Sequence, residues 1–178
     1  MDTAPHQEKS LVIRQARLDE LGKTAEVIRA AYAEYTVGMP EDRASRYLDR
    51  SADVESRLDA SELLIAELDG RLVGSVTICP DAALSAGEGW PDGWLGIRLL
   101  AVVPEARGCG IGRALVQACI HRAHEVSAPV VVLHTTEMMA VARGMYERMG
   151  FVRAHGFDLR FGSGPEILAY RLDLALLS

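Results

Sequence analysis

Apolar and polar positions change period several times along the chain, and each change marks a boundary between elements. Residues 11–17 alternate loosely after a polar start, and Asp19 and Glu20 then precede an apolar-periodic run through Leu21, Ala25, Ile28 and Tyr32. A strand followed by a helix is predicted, with Asp19 accepting an amide hydrogen bond as N-cap. Gly38 and Pro40 interrupt helical continuity before a polar-rich second helix through Leu48, Val54 and Leu58. Residues 63–68 and 72–78 are apolar segments separated by Asp69-Gly70, with Arg71 completing the connection, which predicts an antiparallel hairpin. Residues 80–93 hold two prolines and three glycines, so a surface loop leads into the apolar stretch 94–103.

After Pro104 comes ARGCGIG, then a helical stripe of Ile111, Ala114, Leu115, Ala118 and Cys119, then a short strand at 130–133. A further helix spans 140–149 and stops at Gly150, and strands follow near 151–160 and 166–172, joined by a turn through Gly162, Ser163, Gly164 and Pro165. The hairpins cannot all be parallel crossovers, so the order of elements predicts an α/β fold with a largely antiparallel central sheet flanked by helices. No internal repeat or low-complexity tract interrupts it. At 178 residues the chain suits one well-buried core: residues 1–9 read as a polar N-terminal tail and 10–178 as a single domain.

Charge narrows the function. The net charge is -6, which argues against a protein that wraps nucleic acid phosphates. It is unevenly divided, with residues 1–92 at net -8 and residues 93–178 at net +2, so the second half suits an anion better. Cys79, Cys109 and Cys119 show no CxxC spacing and cannot all pair, and the start MDTAPHQEKS lacks the apolar run of a signal peptide. No stretch supplies eighteen charge-free apolar residues, so a cytoplasmic location with no membrane contact is expected.

The most informative stretch couples a strand end to a helix start. Gly108, Gly110 and Gly112 let successive backbone amides approach a phosphate, and the following helix terminus adds unsatisfied N–H groups and a favourable dipole. Arg107 and Arg113 add positive charge. The spacing matches neither the Walker loop, which needs Lys-Ser/Thr, nor the dinucleotide GxGxxG. A tight turn whose arginines face water is the competing reading of the same residues.

Arg107-Gly108-Cys109-Gly110-Ile111-Gly112, preceded by Leu100-Ala101-Val102-Val103-Pro104 and followed by Ala114-Leu115, resembles the coenzyme A loop of the GNAT N-acetyltransferase family. Ala142-Arg143-Gly144-Met145-Tyr146-Glu147-Arg148-Met149-Gly150-Phe151 resembles that family's later helix with its Tyr-x-x-x-Gly-Phe ending. The resemblance extends over nearly the whole chain and implies a splayed central sheet with a coenzyme A cleft. It implies that the amides of Cys109, Gly110, Ile111, Gly112, Arg113 and Ala114, with Gly108 and Arg107, hold the pyrophosphate of acetyl-CoA. It further implies that the backbone of Ala101 and Val102 pairs with the pantetheine arm. No metal is expected, and a homodimer is compatible with the family.

Acyl transfer to an amine needs a free amine beside the carbonyl, donors for developing negative charge and an acid for the departing thiolate. By the resemblance Tyr146 is that acid, because a phenol with a pKa of roughly 10 stays protonated at neutral pH; packing of its ring is the alternative. The strand before the loop, where the family carries a base, reads Gly96-Ile97-Arg98-Leu99-Leu100 and contains no carboxylate. Arg98 cannot act as a base but could bind an anionic part of the substrate. A water relay, another acid such as Glu88, or an amine already in its free form could remove the need. His134, at the end of an apolar strand, has a route to the reaction centre. Met139 stands where the family often has Asn, and Met138, Met139, Met145 and Met149 read either as core filler or as an apolar lining.

Tyr32, Glu34, Tyr35 and Trp90 are the remaining acceptor-site candidates, together with the loop 87–93 and the turn 162–165. The acidic first half favours a cationic amine. The expected function is acetyl-CoA-dependent N-acetylation of a small-molecule primary amine, with a peptide N-terminus or protein lysine as the alternative acceptor. A non-catalytic coenzyme A-binding sensor is the alternative of another class.

Overall fold

The computed structural model describes residues 10–84, 88–160 and 165–177. In chain order they form β1 (Leu11–Gln15), α1 (Leu21–Tyr32), α2 (Glu41–Ala52), β2 (Glu62–Leu68), β3 (Arg71–Cys79), β4 (Leu95–Val102), α3 (Ile111–Glu125), β5 (Val130–Thr136), α4 (Ala140–Arg148), β6 (Val152–Arg153), β7 (Leu159–Arg160) and β8 (Glu166–Asp173). One sheet carries all the strands in the order β1-β2-β3-β4-β5-β8-β6, with β7 also on β8. Every pairing is antiparallel except β4 with β5. This is the mixed, largely antiparallel α/β architecture the element order implies. No helix among the described residues is long and apolar enough to cross a membrane.

Local chemistry accounts for several boundaries. Asp69 and Gly70 both adopt positive φ, 51° and 75°, so the two-residue turn twists in the sense that closes β2 on β3. Asp19 is not the acceptor at the start of α1. It pairs with Arg17, while the buried Glu20 carboxylate takes the Arg17 amide at 2.8 Å and the Arg14 guanidinium at 2.7 and 2.8 Å. Glu20, one residue on and one methylene longer, reaches both the strand arginine and the Arg17 amide ahead of the 3-10 turn at Leu18–Glu20, and α1 itself has no side-chain cap. The second helix ends at Ala52, so Val54 and Leu58 lie in the short turn beyond it. The stretch after Gly150 forms two very short strands around a 3-10 turn at His155–Phe157.

Helices cover both faces of the sheet. Leu115, Val116, Cys119 and Ala123 of α3 pack with Val76, Ile97 and Leu133 on one face, and Tyr146 of α4 joins that cluster. Ile28, Ala31 and Tyr32 of α1 pack with Leu63 and Ala101 on the other. Alternation along the strands puts neighbouring residues into opposite clusters, as Leu63 and Leu64 show. Gly74 is where α3 lies closest to the sheet: a Cβ there would sit 2.9 Å from the Ala101 carbonyl and 3.2 and 3.3 Å from Leu115 and Ile111.

Two irregularities prepare the site. Ser75 pairs with Ala101 and Thr77 with Arg98, so Leu99 and Leu100 together oppose Val76 alone. This is a β-bulge, and Leu99 takes a left-handed φ of 51° within it. Parallel pairing of β4 with β5 is confined to Leu95, Gly96 and Ile97 and their partners Val131, Val132 and Leu133, although both strands run on. Beyond Ile97 the two strands part.

Gly74→Ala should lower stability by about 1–3 kcal/mol, because the added methyl meets backbone oxygen and two buried side chains. The urea midpoint should fall with an unchanged slope; a wild-type midpoint would show that α3 is not held against β3 as tightly as described.

Candidate active site

The parting of β4 from β5 opens a cavity of about 510 Å³, lined by residues of α1, β4, the loop into α3, β5 and α4. Past Ile97 the β4 edge facing β5 is outside the ladder, and its carbonyls take side-chain donors instead. The Leu100 and Val102 carbonyls turn away from β3, toward Tyr32 Oη at 3.3 Å and Arg107 Nε at 3.2 Å. The Ala101 carbonyl faces Gly74 on β3 instead. Strand alternation thus exposes Leu100 and Val102, both of which line the cavity, whereas Ala101 does not.

At one end stands the glycine loop. Gly108 and Gly110 have φ of 76° and 77° with open space where a Cβ would lie, so conformation rather than crowding demands glycine there. Gly110 is the N-cap of α3 and supplies no side-chain cap. The first helical bond runs from the Ala114 amide to the Gly110 carbonyl at 3.0 Å, which leaves the preceding amides as donors without intrahelical acceptors. Arg113 and Arg148 line the cavity, and neither has an ion-pair partner among the described residues. Donors, a helix N-terminus and two guanidinium groups without ion-pair partners among the described residues are an arrangement suited to an anion.

Arg107 has a different place. It pairs with Glu34 at 2.7 Å and donates to the Ala31 carbonyl at 3.0 Å and to Val102, tying α1 and the turn after it to the end of β4. Its charge is largely matched by Glu34, so it braces the cleft more than it charges it.

Tyr146 is buried, lines the cavity and packs its ring on Phe151 at 5.7 Å. Burial, with smaller contributions from Cys119 and Tyr35, pushes its phenol above the ordinary value, so the group keeps its proton throughout the physiological range. Among the described residues its hydroxyl has no hydrogen-bond partner, which leaves the proton available to whatever occupies the cavity. Met138, Met139, Met145 and Met149 all line the same space, and Met139, Met145 and Met149 also pack against the core, so both sequence readings hold together. Flexible thioethers suit a long, thin ligand arm.

A polar cluster forms the wall on the β4 and β5 side. Glu88 accepts from Trp90 Nε1 at 2.8 Å, faces His134 Nδ1 at 3.5 Å and pairs with Arg98 at 3.2 Å. Burial alone would raise the Glu88 carboxyl, but the His134 hydrogen bond, the Arg98 charge and the Trp90 N–H outweigh it and hold the group below its usual value. His134 Nε2 lies 2.8 Å from the Phe157 carbonyl, which only accepts, so that nitrogen carries a hydrogen. Nδ1 is turned to Glu88, so both ring nitrogens face protein groups. Asp158 fixes this corner by accepting the Ala169 amide at 2.8 Å and clasping Arg153 at 2.6 and 2.7 Å.

The geometry is joined by one decisive match: a family model described as Acetyltransferase (GNAT) family covers residues 25–151. The chain belongs to that family. Among curated relatives, proteins named mycothiol acetyltransferase are 33% identical over 117 residues in Cellulomonas flavigena and 30% over 136 residues in Streptomyces griseus. These matches take in 65% and 76% of this chain but only 33% and 40% of the relatives, so the chain spans little more than a third of their length. The fold also matches the PaiA N-acetyltransferase of Thermoplasma acidophilum in complex with coenzyme A, with TM-score 0.71, 16% identity, and 92% and 99% of the two chains covered. A GNAT acetyltransferase of Brucella melitensis in complex with acetyl-CoA gives TM-score 0.61 and 22% identity, with 92% and 88% covered.

Of the residues singled out in the sequence, the GNAT cleft brings together Tyr32, Glu34, Tyr35, Arg98, Val102, Arg107, Gly108, Gly110, Ile111, Gly112, Arg113, His134 and Tyr146. Trp90 is corrected: it is buried between Phe157 at 4.6 Å and His134 at 4.8 Å and does not line the cavity. Cys109 points to solvent as a free thiol, and neither its side chain nor Ala114 reaches the cavity wall. Gly87 and residues 162–164, named as acceptor-side loops, lie outside the described residues. Sequence reasoning missed Leu100 and Arg148. Strand parity relative to Gly74 was the signal for the first, and no local signal existed for the second.

Proposed function

We propose that the chain transfers the acetyl group of acetyl-CoA directly to the primary amine of a small molecule, with residues 10–178 acting as one acyltransferase domain. The observation that carries this reading is that one cavity is lined both by the Gly108–Arg113 cradle and by the buried, protonated Tyr146. The residues fit the group. A diphosphate needs amide donors and compensating charge, which the α3 terminus, Arg113 and Arg148 offer, and the open β4 edge at Leu100 and Val102 suits the amides of an extended arm. Bound acetyl-CoA supplies an activated acyl carbon on a thiolate leaving group.

The chain's own residues then have separable tasks. The cradle amides and the two arginines hold the anionic end, the four methionines exclude water along the arm, and Tyr146 keeps a proton at its phenolic oxygen for a leaving sulfur. Among the described residues Glu34, the carboxylate that lines the cavity, is paired with Arg107, and His134 and Glu88 are bonded to each other and to their neighbours. The acceptor amine therefore reacts as whatever fraction is already uncharged. The relatives named mycothiol acetyltransferase support a small-molecule acceptor over a protein one. Turnover confined to peptides in an acceptor panel would reverse that choice, and tight coenzyme A binding without transfer to any amine would favour a sensor.

Three outcomes are expected. Gly110→Asp, which puts a side chain and a negative charge into the cradle at a residue with φ of 77°, should weaken coenzyme A binding by at least about tenfold in calorimetry. It should shift the melting temperature far less, and retained affinity would dismiss the cradle. Tyr146→Phe keeps the ring packing but removes the proton, so the single-turnover chemical rate should drop by roughly 10²-fold; an unaltered rate would remove Tyr146 from the reaction. With acceptors of different basicity, the pH midpoint of kcat/KM should move with each acceptor's own ammonium group. One midpoint common to every acceptor would mean that a protein base does the work.

A further inference from the structure

Four arginines line the cavity, and they differ in how they are held. Arg107 is matched by Glu34, and Arg113 and Arg148 belong to the cradle at the α3 and α4 end. Arg98 stands apart from these. It precedes the bulge in β4, its side chain is 42% exposed, and its guanidinium meets one described partner, a single Glu88 oxygen at 3.2 Å. That carboxylate is already divided among Arg98, the Trp90 N–H and the His134 ring, and its own side chain is only 13% exposed. Glu88 is a tether behind the wall and neutralises Arg98 only in part.

A second cation, Arg57, lies near Arg98 behind the cavity lining. Arg57 spends two of its nitrogens on the Arg50 and Ser51 carbonyls at the end of α2, at 3.0 and 2.9 Å, and its buried Nε has no partner. Arg98 lies close enough to repel it, and that repulsion adds to burial in lowering the Arg57 guanidinium. The carboxylate that acts on Arg57 is Asp53, so Glu88 is left to Arg98, His134 and Trp90. A guanidinium has five N–H donors in a flat fork, and the unused donors of Arg98 line the cavity.

We propose that Arg98 is an anion-recognising residue of the acceptor site and that the amine acetylated by this chain carries a carboxylate, which Arg98 binds while Glu88 holds the guanidinium in place. The proposal rests on the acetyl-transfer reading above and deepens it by naming the acceptor class. A single planar guanidinium matches the two oxygens of a carboxylate. The acceptor is accordingly an amino acid or an amine built like one, with its carboxylate on Arg98.

The test uses the whole protein, acetyl-CoA and acceptor triplets: an amino acid, its primary amide and the corresponding amine without the carboxyl group. The wild-type protein should prefer the acid by at least about tenfold in kcat/KM, the scale of one charge-assisted hydrogen-bonded pair. In Arg98→Met the ratio of acid to amide should fall to near one. Arg98→Lys, which keeps the charge but loses the fork, should restore part of it, and melting curves confirm that both variants fold. Equal use of all three acceptors, or preference for the uncharged pair, would overturn the proposal. If coenzyme A binds but no amine is acetylated, the transfer reading fails separately. The site is then read by calorimetry of N-acetyl amino acids against their amides on the coenzyme A-bound protein. Acid-selective binding that disappears in Arg98→Met upholds the carboxylate site, and unselective or absent binding overturns it.

Discussion

The bulge at Leu99 and Leu100 is the constraint on which the rest of the molecule turns. An extra residue in β4 bends the strand and changes its twist, and a leucine held at φ 51° costs backbone energy that the flanking pairings with β3 must sustain. Parallel pairing with β5 ends at Ile97 and Leu133, immediately before the bulge. Were the ladder to continue, the Leu100 and Val102 backbone would be spent on β5, and the space between β4, β5 and α4 would be filled by sheet. The cavity, its open strand edge and the entry of α3 at the end of β4 all follow from that interruption.

Rigid neighbours hold the interruption open. Gly74 lets α3 settle against β3 and β4, which fixes where the helix N-terminus points. Arg107 ties the end of β4 to α1, and Tyr32 Oη reaches the Leu100 carbonyl from the same helix. On the far wall, Trp90, Phe157 and His134 stack into a block whose position Asp158 secures through the Ala169 amide and Arg153. The cleft is therefore a gap between well-packed parts, as expected of a site that must place a thioester and an amine within reacting distance.

Electrostatics in the cleft is local. The chain is acidic overall, yet the residues facing the cavity include four arginines, of which only Arg107 is closely matched by a carboxylate on its own wall. Net charge steers approach over distances of about a Debye length, ~8–10 Å, while recognition in contact depends on which donors remain unspent. The pair of Glu88 and His134 illustrates the second point. Both are residues that could do proton chemistry, and both are committed to holding one another, Trp90 and Arg98.

Much of this was legible along the chain, because it is written in short-range patterns. Asp69-Gly70 predicts a hairpin from backbone preference alone, and the strand-glycine-helix run through Gly112 predicts a tight glycine turn into α3, where Gly108 and Gly110 do take positive φ. The Tyr146 helix and its Gly150 stop are likewise local signals. What depended on the tertiary structure was every choice between neighbours: Glu20 over Asp19 at α1, Leu100 over Ala101 at the open edge, and Trp90 inside the wall instead of on it. The same holds for Glu88, His134 and Arg98, which are separated by up to 46 positions and meet only because β4 and β5 lie side by side. Sequence determines which backbone conformations are affordable at each step; whether a polar group is free or already bonded is settled by residues that arrive from elsewhere in the chain.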